Sequence, residues 1–288
     1  MFRRHSLVGE IHTATHGFMT EWTVSGDAEG RTITLPLVTG YNYDCVIDWG
    51  DGSAKSVVTA FDDVNRIHTY SVAGKYKVEI TGTCEGWSFN NAGDKLKITN
   101  ILYWGNPLKF NDFKYLTGGF YGCTALKSFG RGSILFSGSG GFDSTFRDCI
   151  SVTSVPVDLF KYSTAISVNG FRGTFRGCSS LASLPVDLFR YNTLVSADGF
   201  FETFYGCAKL QLHKWIFYLT GEEGTRFLNK TLSFAECFFL TSFTGTIGEA
   251  PELWNCNFGT GTPTRTDCFN GHSINSVSNY ADIPAEWL

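Results

Sequence analysis

A phenylalanine–cysteine pattern that recurs along the last two-thirds of the chain constrains the fold most. F-x-x-C occurs at Phe120/Cys123, Phe146/Cys149, Phe175/Cys178, Phe204/Cys207 and Phe234/Cys237, with steps of 26, 29, 29 and 30 residues between successive cysteines. A sixth, degenerate copy follows at Phe269, where His272 takes the cysteine position. Units of this size cannot each enclose a core, so we expect them to stack on one another. The pattern therefore predicts a solenoid.

Two of these units align without a gap, which defines their internal organisation. Residues 152–178 and 181–207 are identical at 15 of 27 positions. Each has a short β-prone stretch before a proline, and the fixed φ of proline suits the first turn of a short helix, VDLFKY or VDLFRY. The repeated cysteine is expected inside the array as a small apolar residue, because zinc sites need paired C-x₂₋₄-C spacings that this pattern lacks.

The segments FYGCTAL, FRGCSSL and FYGCAKL, which begin at Phe120, Phe175 and Phe204, resemble the BspA-like leucine-rich repeat family. The closing segments APELW and NYADIPAEWL also resemble the last unit of family members carried by phages and prophages. The unit FRDCISV departs from the pattern, since an aspartate replaces the usual glycine. The resemblance implies a surface-exposed binding or adhesion module without enzymatic activity.

The N-terminal third has a different pattern, because short alternating segments bounded by glycine, asparagine or aspartate indicate strands. The motifs VIDWGDGSA, from Val46, and HTYSVAGKYKVEITG, from His68, resemble the polycystic kidney disease (PKD) type of immunoglobulin-like domain. The expected fold is mainly β with short helices: an N-terminal immunoglobulin-like β-sandwich followed by a leucine-rich-repeat solenoid. The expected boundaries are an N-terminal segment at 1–18, the sandwich at 19–100 and the repeats, with a degenerate C-terminal cap, at 101–288.

The charge and hydropathy of the chain limit the classes of partner that it can bind. The formal net charge is −4 with no basic block, which argues against nucleic acid. The apolar runs are too short to cross a membrane, so no membrane insertion is expected. The first residues lack the apolar stretch of a secretory signal, which favours a virion component over an exported protein.

A search for catalytic and metal-binding motifs predicts no enzyme, no cofactor and no metal site. The nucleophile motif G-x-S-x-G and the phosphate-binding P-loop are both missing from the sequence. His12 and His16 lack the glutamate of a hydrolytic zinc motif, and Asp48 with Asp51 supplies too few oxygens for calcium. The nine cysteines leave disulfides between Cys45 and Cys84, or between Cys256 and Cys268, as open alternatives.

The most informative surface candidates are aromatic residues at equivalent positions of two units. Tyr162 and Tyr191 follow Phe160 and Phe189, so stacking in register would align them beside Lys161 and Arg190. We expect this surface to bind a host glycan or protein, and leave self-association open. The leading function is a phage tail or head fibre, decoration or receptor-binding protein. The alternatives are a bacterial surface adhesin and, least favoured, a glycan-processing enzyme.

Overall fold

The computed structural model describes residues 16–138, 140–240, 248–273 and 277–288. Within these residues the protein is mainly β, as the sequence predicts, with 22% of residues in strands or isolated β-bridges and 5% in helices. The strands are β1 Phe18–Val24, β2 Thr32–Thr34, β3 Tyr43–Asp48, β4 Ser56–Val58, β5 Ile67–Thr69, β6 Gly74–Cys84 and β7 Ile98–Trp104. The helices of the described residues are 3₁₀ helices of three residues each: Val64–Arg66, Leu253–Asn255, Tyr280–Asp282 and Ala285–Trp287.

The strands form two sheets. A five-stranded sheet has the order β4-β3-β6-β1-β7, and a two-stranded sheet pairs β2 with β5. β1 lies in the larger sheet between β6 and β7 and is antiparallel to both. Alternate residues of β3 are buried and exposed, as expected for a strand with one face against a core.

Beyond β7 the chain winds through successive coils. A coil is the stretch of chain from one pair of phenylalanines four residues apart, such as Phe142 and Phe146, to the corresponding position of the next unit. Backbone N–H groups of one coil donate to carbonyl groups of the next, as from Phe142 to Gly170 at 2.7 Å and from Phe171 to Gly199 at 2.8 Å. Isolated parallel bridges also join neighbouring coils, for example Ser154 to Ser183. These contacts satisfy backbone groups that would otherwise be buried without a partner.

Phenylalanine rings fill the centre of the coils in two parallel columns. The first column contains Phe120, Phe146, Phe175, Phe204, Phe238 and Phe269, with ring centroids 5.4–5.7 Å apart. The second contains Phe142, Phe171, Phe200 and Phe234, with ring centroids 5.3–5.9 Å apart. The near-parallel rings combine large buried area with favourable aromatic contact.

This arrangement corrects the register expected for the fifth F-x-x-C motif. Phe234 stacks on Phe200 rather than on Phe204, whose partner is Phe238. The preceding coil is longer than its neighbours, so the chain reaches the stack four residues later than the motif suggests. Cys237 therefore lies one turn away from the column of Cys149, Cys178 and Cys207.

Side chains add a second set of bonds between coils. The thiols of Cys149, Cys178 and Cys207 donate to the carbonyl groups of Phe120, Phe146 and Phe175 at 3.1–3.2 Å. The hydroxyl groups of Thr145, Thr174 and Thr203 donate in the same way to Leu116, Phe142 and Phe171 at 2.8–2.9 Å. The repeated cysteine is thus buried as expected, and its thiol also serves as a hydrogen-bond donor to the preceding coil.

The short helices expected at VDLFKY and VDLFRY are isolated turns. They are closed by bonds between residues three apart, such as Leu159 N–H to Pro156 and Lys161 N–H to Asp158. The chain cannot continue as a helix there, because Asp187 and Leu188 donate their N–H groups to Trp215 and Ile216 of the next coil. Bonding between coils replaces the bonds that would extend a helix.

The larger sheet passes into the coils through β7. Ile101 N–H donates to Ser128, and Arg131 N–H donates to Leu102, so the segment 127–131 lies along β7. Trp104 of β7 is buried against Phe120 and Phe146 at 5.8 and 6.1 Å. One hydrophobic core therefore extends from the sheets into the coils.

Candidate functional site

The four residues singled out from the sequence lie together on the surface, and we call Lys161, Tyr162, Arg190 and Tyr191 the tyrosine patch. Lys161 Nζ lies 5.7 Å from the ring centroid of Tyr162 and 5.9 Å from that of Tyr191. Arg190 Cζ lies 5.2 Å from the Tyr191 ring. Each cation is within the range of an attractive contact with an aromatic face. Tyr162 is 58% exposed, and Tyr191 is half-buried.

Exposed aliphatic residues of the same two coils accompany the patch. Val157 and Val186 occupy equivalent positions and are 59% and 49% exposed, and Leu194 is 58% exposed. Single exposed apolar residues are ordinary, but several on the two coils that carry the tyrosine patch offer apolar area that a partner can bury.

The backbone beneath the patch is held by a column of rings and by amide bonds. Phe160 and Phe189, which precede the patch residues, stack inside at 6.0 Å. Asn192 Nδ2 donates to the carbonyl groups of Ser163 at 2.8 Å and Phe160 at 3.4 Å. Because the phenylalanines point inward, the two residues that follow each of them face outward.

An arginine whose side chain is only 10% exposed also supports the patch. Arg226 donates from Nε to Phe217 at 2.8 Å and from Nη2 to Phe189 at 2.6 Å. Its Nη2 lies 3.8 Å from Oδ1 of the buried Asp187. Burial raises the pKa of Asp187, and the nearby Arg226 opposes that rise. The pair is therefore a structural element that fixes the turn carrying Arg190 and Tyr191.

A second surface row was missed by the sequence reasoning. The residues that follow the first phenylalanine column are Tyr121, Arg147, Arg176, Tyr205 and Phe239. Arg147 Cζ lies 4.9 Å from the Tyr121 ring and Arg176 Cζ 4.1 Å from the Tyr205 ring. The rings of Tyr205 and Phe239 stack at 4.9 Å. The available signal was that each of these five units has either an arginine or an aromatic residue at this one repeat position.

This second row is less suited to a partner than the tyrosine patch. All five of its residues are half-buried, and Arg176 already forms an ion pair with Glu202. Its side chains contact one another and cover the coils, so less of their surface is available to a partner.

The acidic residues considered for calcium have partners within the protein. Lys55 Nζ lies 3.0 Å from Asp48, and His68 Nε2 lies 2.8 Å from Asp51. Burial raises the pKa of Asp51, but hydrogen bonds from Ser53 and His68 outweigh it and lower the pKa to about 2. Within the described ranges no group of three histidine, cysteine or acidic residues could hold a metal ion. His12 lies outside the described residues, and His16 lies 3.4 Å from Glu79.

The aromatic residues of the two motifs that begin at Val46 and His68 form a packed cluster. The ring of His68 stacks on Trp49 at 4.8 Å, and Tyr70 stacks on Tyr76 at 3.8 Å. The Tyr70 hydroxyl donates to the Trp49 carbonyl at 3.0 Å. These residues hold the N-terminal sheets together.

All nine cysteines are buried and have free thiols. Cys45 and Cys84 lie on adjacent strands, and their thiols share a hydrogen bond. The thiol of Cys256 neighbours the Tyr218 hydroxyl, whereas that of Cys268 neighbours Cys237. The structure thus has a thiol pair at Cys45 and Cys84, while Cys256 and Cys268 each have a different neighbour.

Comparison with protein families, with curated proteins and with solved structures gives no match for this chain. In the described part of the chain, no helix has the length and apolar character needed to cross a membrane.

Proposed function

We propose that this protein is a non-enzymatic recognition protein that presents the tyrosine patch to a glycan or protein on a host surface. Its fold would be an immunoglobulin-like domain of the PKD type followed by a leucine-rich-repeat solenoid. The sequence resemblance to BspA-like repeats supports this assignment, and resemblance to phage-borne members of that family supports a place in a virion, such as a fibre or receptor-binding part.

The observation that carries the proposal is the alignment of Tyr162 and Tyr191 on neighbouring coils, with Lys161 within 6 Å of both rings. Aromatic residues with a rigid backbone beneath them provide large contact area at little entropic cost. The adjacent cations can pair with acidic or polar groups of a partner. Arg226 and the buried Asn192 keep this surface in place before binding.

The test compares three purified proteins in binding to whole host cells and to a glycan array. The Tyr162→Ala/Tyr191→Ala variant removes the two rings, and the Leu96→Ala/Leu108→Ala variant removes two other exposed apolar side chains as a matched control. Wild type and control should bind alike, and the tyrosine variant should lose at least about tenfold in affinity, as for anchor residues of an interface. Equal binding by all three proteins would contradict the role of the patch.

A further inference from the structure

A groove lies where the larger sheet meets the first coils. Its volume is about 780 Å³. Its walls come from the outer face of β6, β1 and β7, from the segment 127–131 and from the segment 154–156. We call it the basic groove, because the described residues that line it include Lys77, Lys127 and Arg131 and no acidic residue.

The groove exists because the bonding between successive segments is interrupted at this point. The segment 127–131 bonds backward to β7, through Arg131 N–H to Leu102. The segment 152–156 bonds forward, through the N–H of Ala182 to Thr153 at 2.9 Å. No backbone hydrogen bond joins these two described segments to each other. The ring of Phe129 packs beneath the gap against Phe146 at 4.3 Å.

The three basic side chains of the groove are exposed, and none has a carboxylate within 4.0 Å in the described part of the chain. Two glutamates lie on the same sheet face. Glu21 stands opposite Lys77 in the strand register and accepts from Asn100 Nδ2 at 2.8 Å, and Glu79 accepts from Gly17 N–H at 2.8 Å. Glu79 also lies 3.4 Å from His16 Nδ1, and neither carboxylate is within 4.0 Å of a groove cation, so the three cations can pair with an external anion.

The remaining lining matches a sugar rather than a bare ion. Tyr103 lines the groove and is half-buried, with its ring 4.8 Å from the ring of His16, which lines the groove beside it, and Pro156 adds apolar surface. Ser128 and Ser154 are exposed; the Ser128 hydroxyl donates to Asn100 Oδ1 at 3.0 Å and can still accept a hydrogen bond, and the Ser154 hydroxyl adds a second polar group. A site that combines apolar area with a few polar groups and charges is typical of small-ligand binding. Three cations are too few to follow a nucleic acid backbone.

We propose that the basic groove binds an acidic saccharide, with Arg131 and Lys127 holding its carboxylate, sulfate or phosphate group and Tyr103 contacting a sugar ring. The planar guanidinium of arginine pairs with such groups through two parallel hydrogen bonds, and lysine contributes a point charge. The inference rests on the proposed recognition function and deepens it by naming the ligand class and a site distinct from the tyrosine patch.

The experiment measures binding by calorimetry at low ionic strength with four probes: trigalacturonate, a sulfated heparin tetrasaccharide, neutral maltotriose and inorganic phosphate. Either acidic saccharide should bind at least about tenfold more tightly than maltotriose and phosphate, and its affinity should fall as salt is added. The first two probes distinguish carboxylate from sulfate as the preferred group.

Two double variants with the same change in charge locate the site. Lys127→Gln/Arg131→Gln should weaken binding by at least about tenfold, whereas Lys109→Gln/Lys209→Gln, at exposed positions elsewhere, should leave it unchanged. Matching melting temperatures would show that both variants fold. Should the groove variant melt early, the single variant Lys77→Gln provides the comparison, with a weaker affinity expected.

The groove proposal is overturned if neither acidic saccharide binds, if phosphate binds as tightly as the saccharides, or if both double variants bind alike. Failure of the proposed function is separate, because it is measured as cell binding by the Tyr162→Ala/Tyr191→Ala variant. Loss of cell binding in that variant with intact saccharide binding would support two independent surfaces.

Discussion

His272 Nε2 donates a hydrogen bond to the carbonyl oxygen of Phe238, 3.0 Å away in the preceding coil. In earlier coils a cysteine thiol makes the same bond, as Cys178 does to Phe146 at 3.1 Å. The histidine therefore replaces the cysteine as a donor and is buried like it. Unlike a thiol, an imidazole becomes charged in mild acid, so this position of the last coil has a pH dependence that the equivalent cysteine positions lack.

Replacing His272 with cysteine should make the protein more resistant to acid. Burial lowers the pKa of His272 to about 4, and its bond to Phe238 only partly offsets this. The unfolded chain takes up a proton below about 6.5, whereas the folded protein does so only near 4. Stability is therefore complete above pH 6.5 and falls by up to about 3 kcal/mol as the pH drops toward 4.

Urea unfolding of wild type and His272→Cys at several pH values measures this effect. As the pH falls from 6.5 to 4, the unfolding free energy of His272→Cys should rise relative to that of the wild type. A constant difference over this range would show that His272 is not held neutral by the fold.

In five of the six turns of the first phenylalanine column, the residue two positions after the phenylalanine is left-handed, and this gives a second prediction. Gly177 has φ +71°, and a Cβ there would lie 2.0 Å from Asp148 Oδ1. Asp148 has φ 57° at the position where the neighbouring coils have glycine. Gly177→Ala should therefore cost about 1–2 kcal/mol or more, and Asp148→Gly should stabilise by up to about 1 kcal/mol.

A double-mutant cycle tests the contact between these two positions. Gly177→Ala should cost less when Asp148 is already glycine, because the clash with the carboxylate is gone. Gly132→Ala is the control, since its φ of +85° is also left-handed but nothing lies within 4 Å of the added Cβ. Additive effects of the two substitutions would contradict the packing described for this turn.

Repeat periodicity predicts that coils stack, but it does not fix the register of every coil. Phe234 and Phe238 are four residues apart, and the sequence around each is compatible with a place in the first column. Sequence spacing alone favours Phe234, because the F-x-x-C motif continues there. The structure aligns Phe238 with Phe204 since the longer preceding coil changes where the chain re-enters the stack. Local patterns do not contain this information.

The tyrosine patch and the basic groove also differ in whether the sequence alone predicts them. The tyrosine patch was predictable because Tyr162 and Tyr191 occupy identical positions in two gapless units. The basic groove was not, since Lys77 and Arg131 are far apart in the sequence and meet only where the segment 127–131 bonds to β7. Neither the strand pattern of the N-terminal third nor the repeat pattern that follows it predicts a site formed where the two regions meet.

Removing one ring from the first column should greatly reduce stability. Phe204 is fully buried and stacks between Phe175 at 5.5 Å and Phe238 at 5.4 Å. Phe204→Ala should lower the unfolding free energy by about 3–5 kcal/mol, because it leaves a cavity between two rings. Tyr162→Ala, at an exposed position, should change it by less than about 0.5 kcal/mol. Similar unfolding curves for both variants would contradict the column.

The thiols should be protected by the fold. Burial raises the pKa of Cys149, Cys178 and Cys207, so very little of the reactive thiolate is present at neutral pH. A thiol reagent such as dithionitrobenzoate should react only slowly with the native protein, at a rate limited by opening of the coils. Exposed cysteines would react at once.

Counting thiols after unfolding then tests the state of all nine cysteines. In denaturant without a reductant, nine thiols per chain should react, because every cysteine is free in the structure. A count of seven would reveal one disulfide, and the pair Cys45 and Cys84, whose thiols are in contact, is where it would form. Peptide mapping of the unreacted pair distinguishes it from a bond between Cys256 and Cys268, which would require both residues to leave their present neighbours.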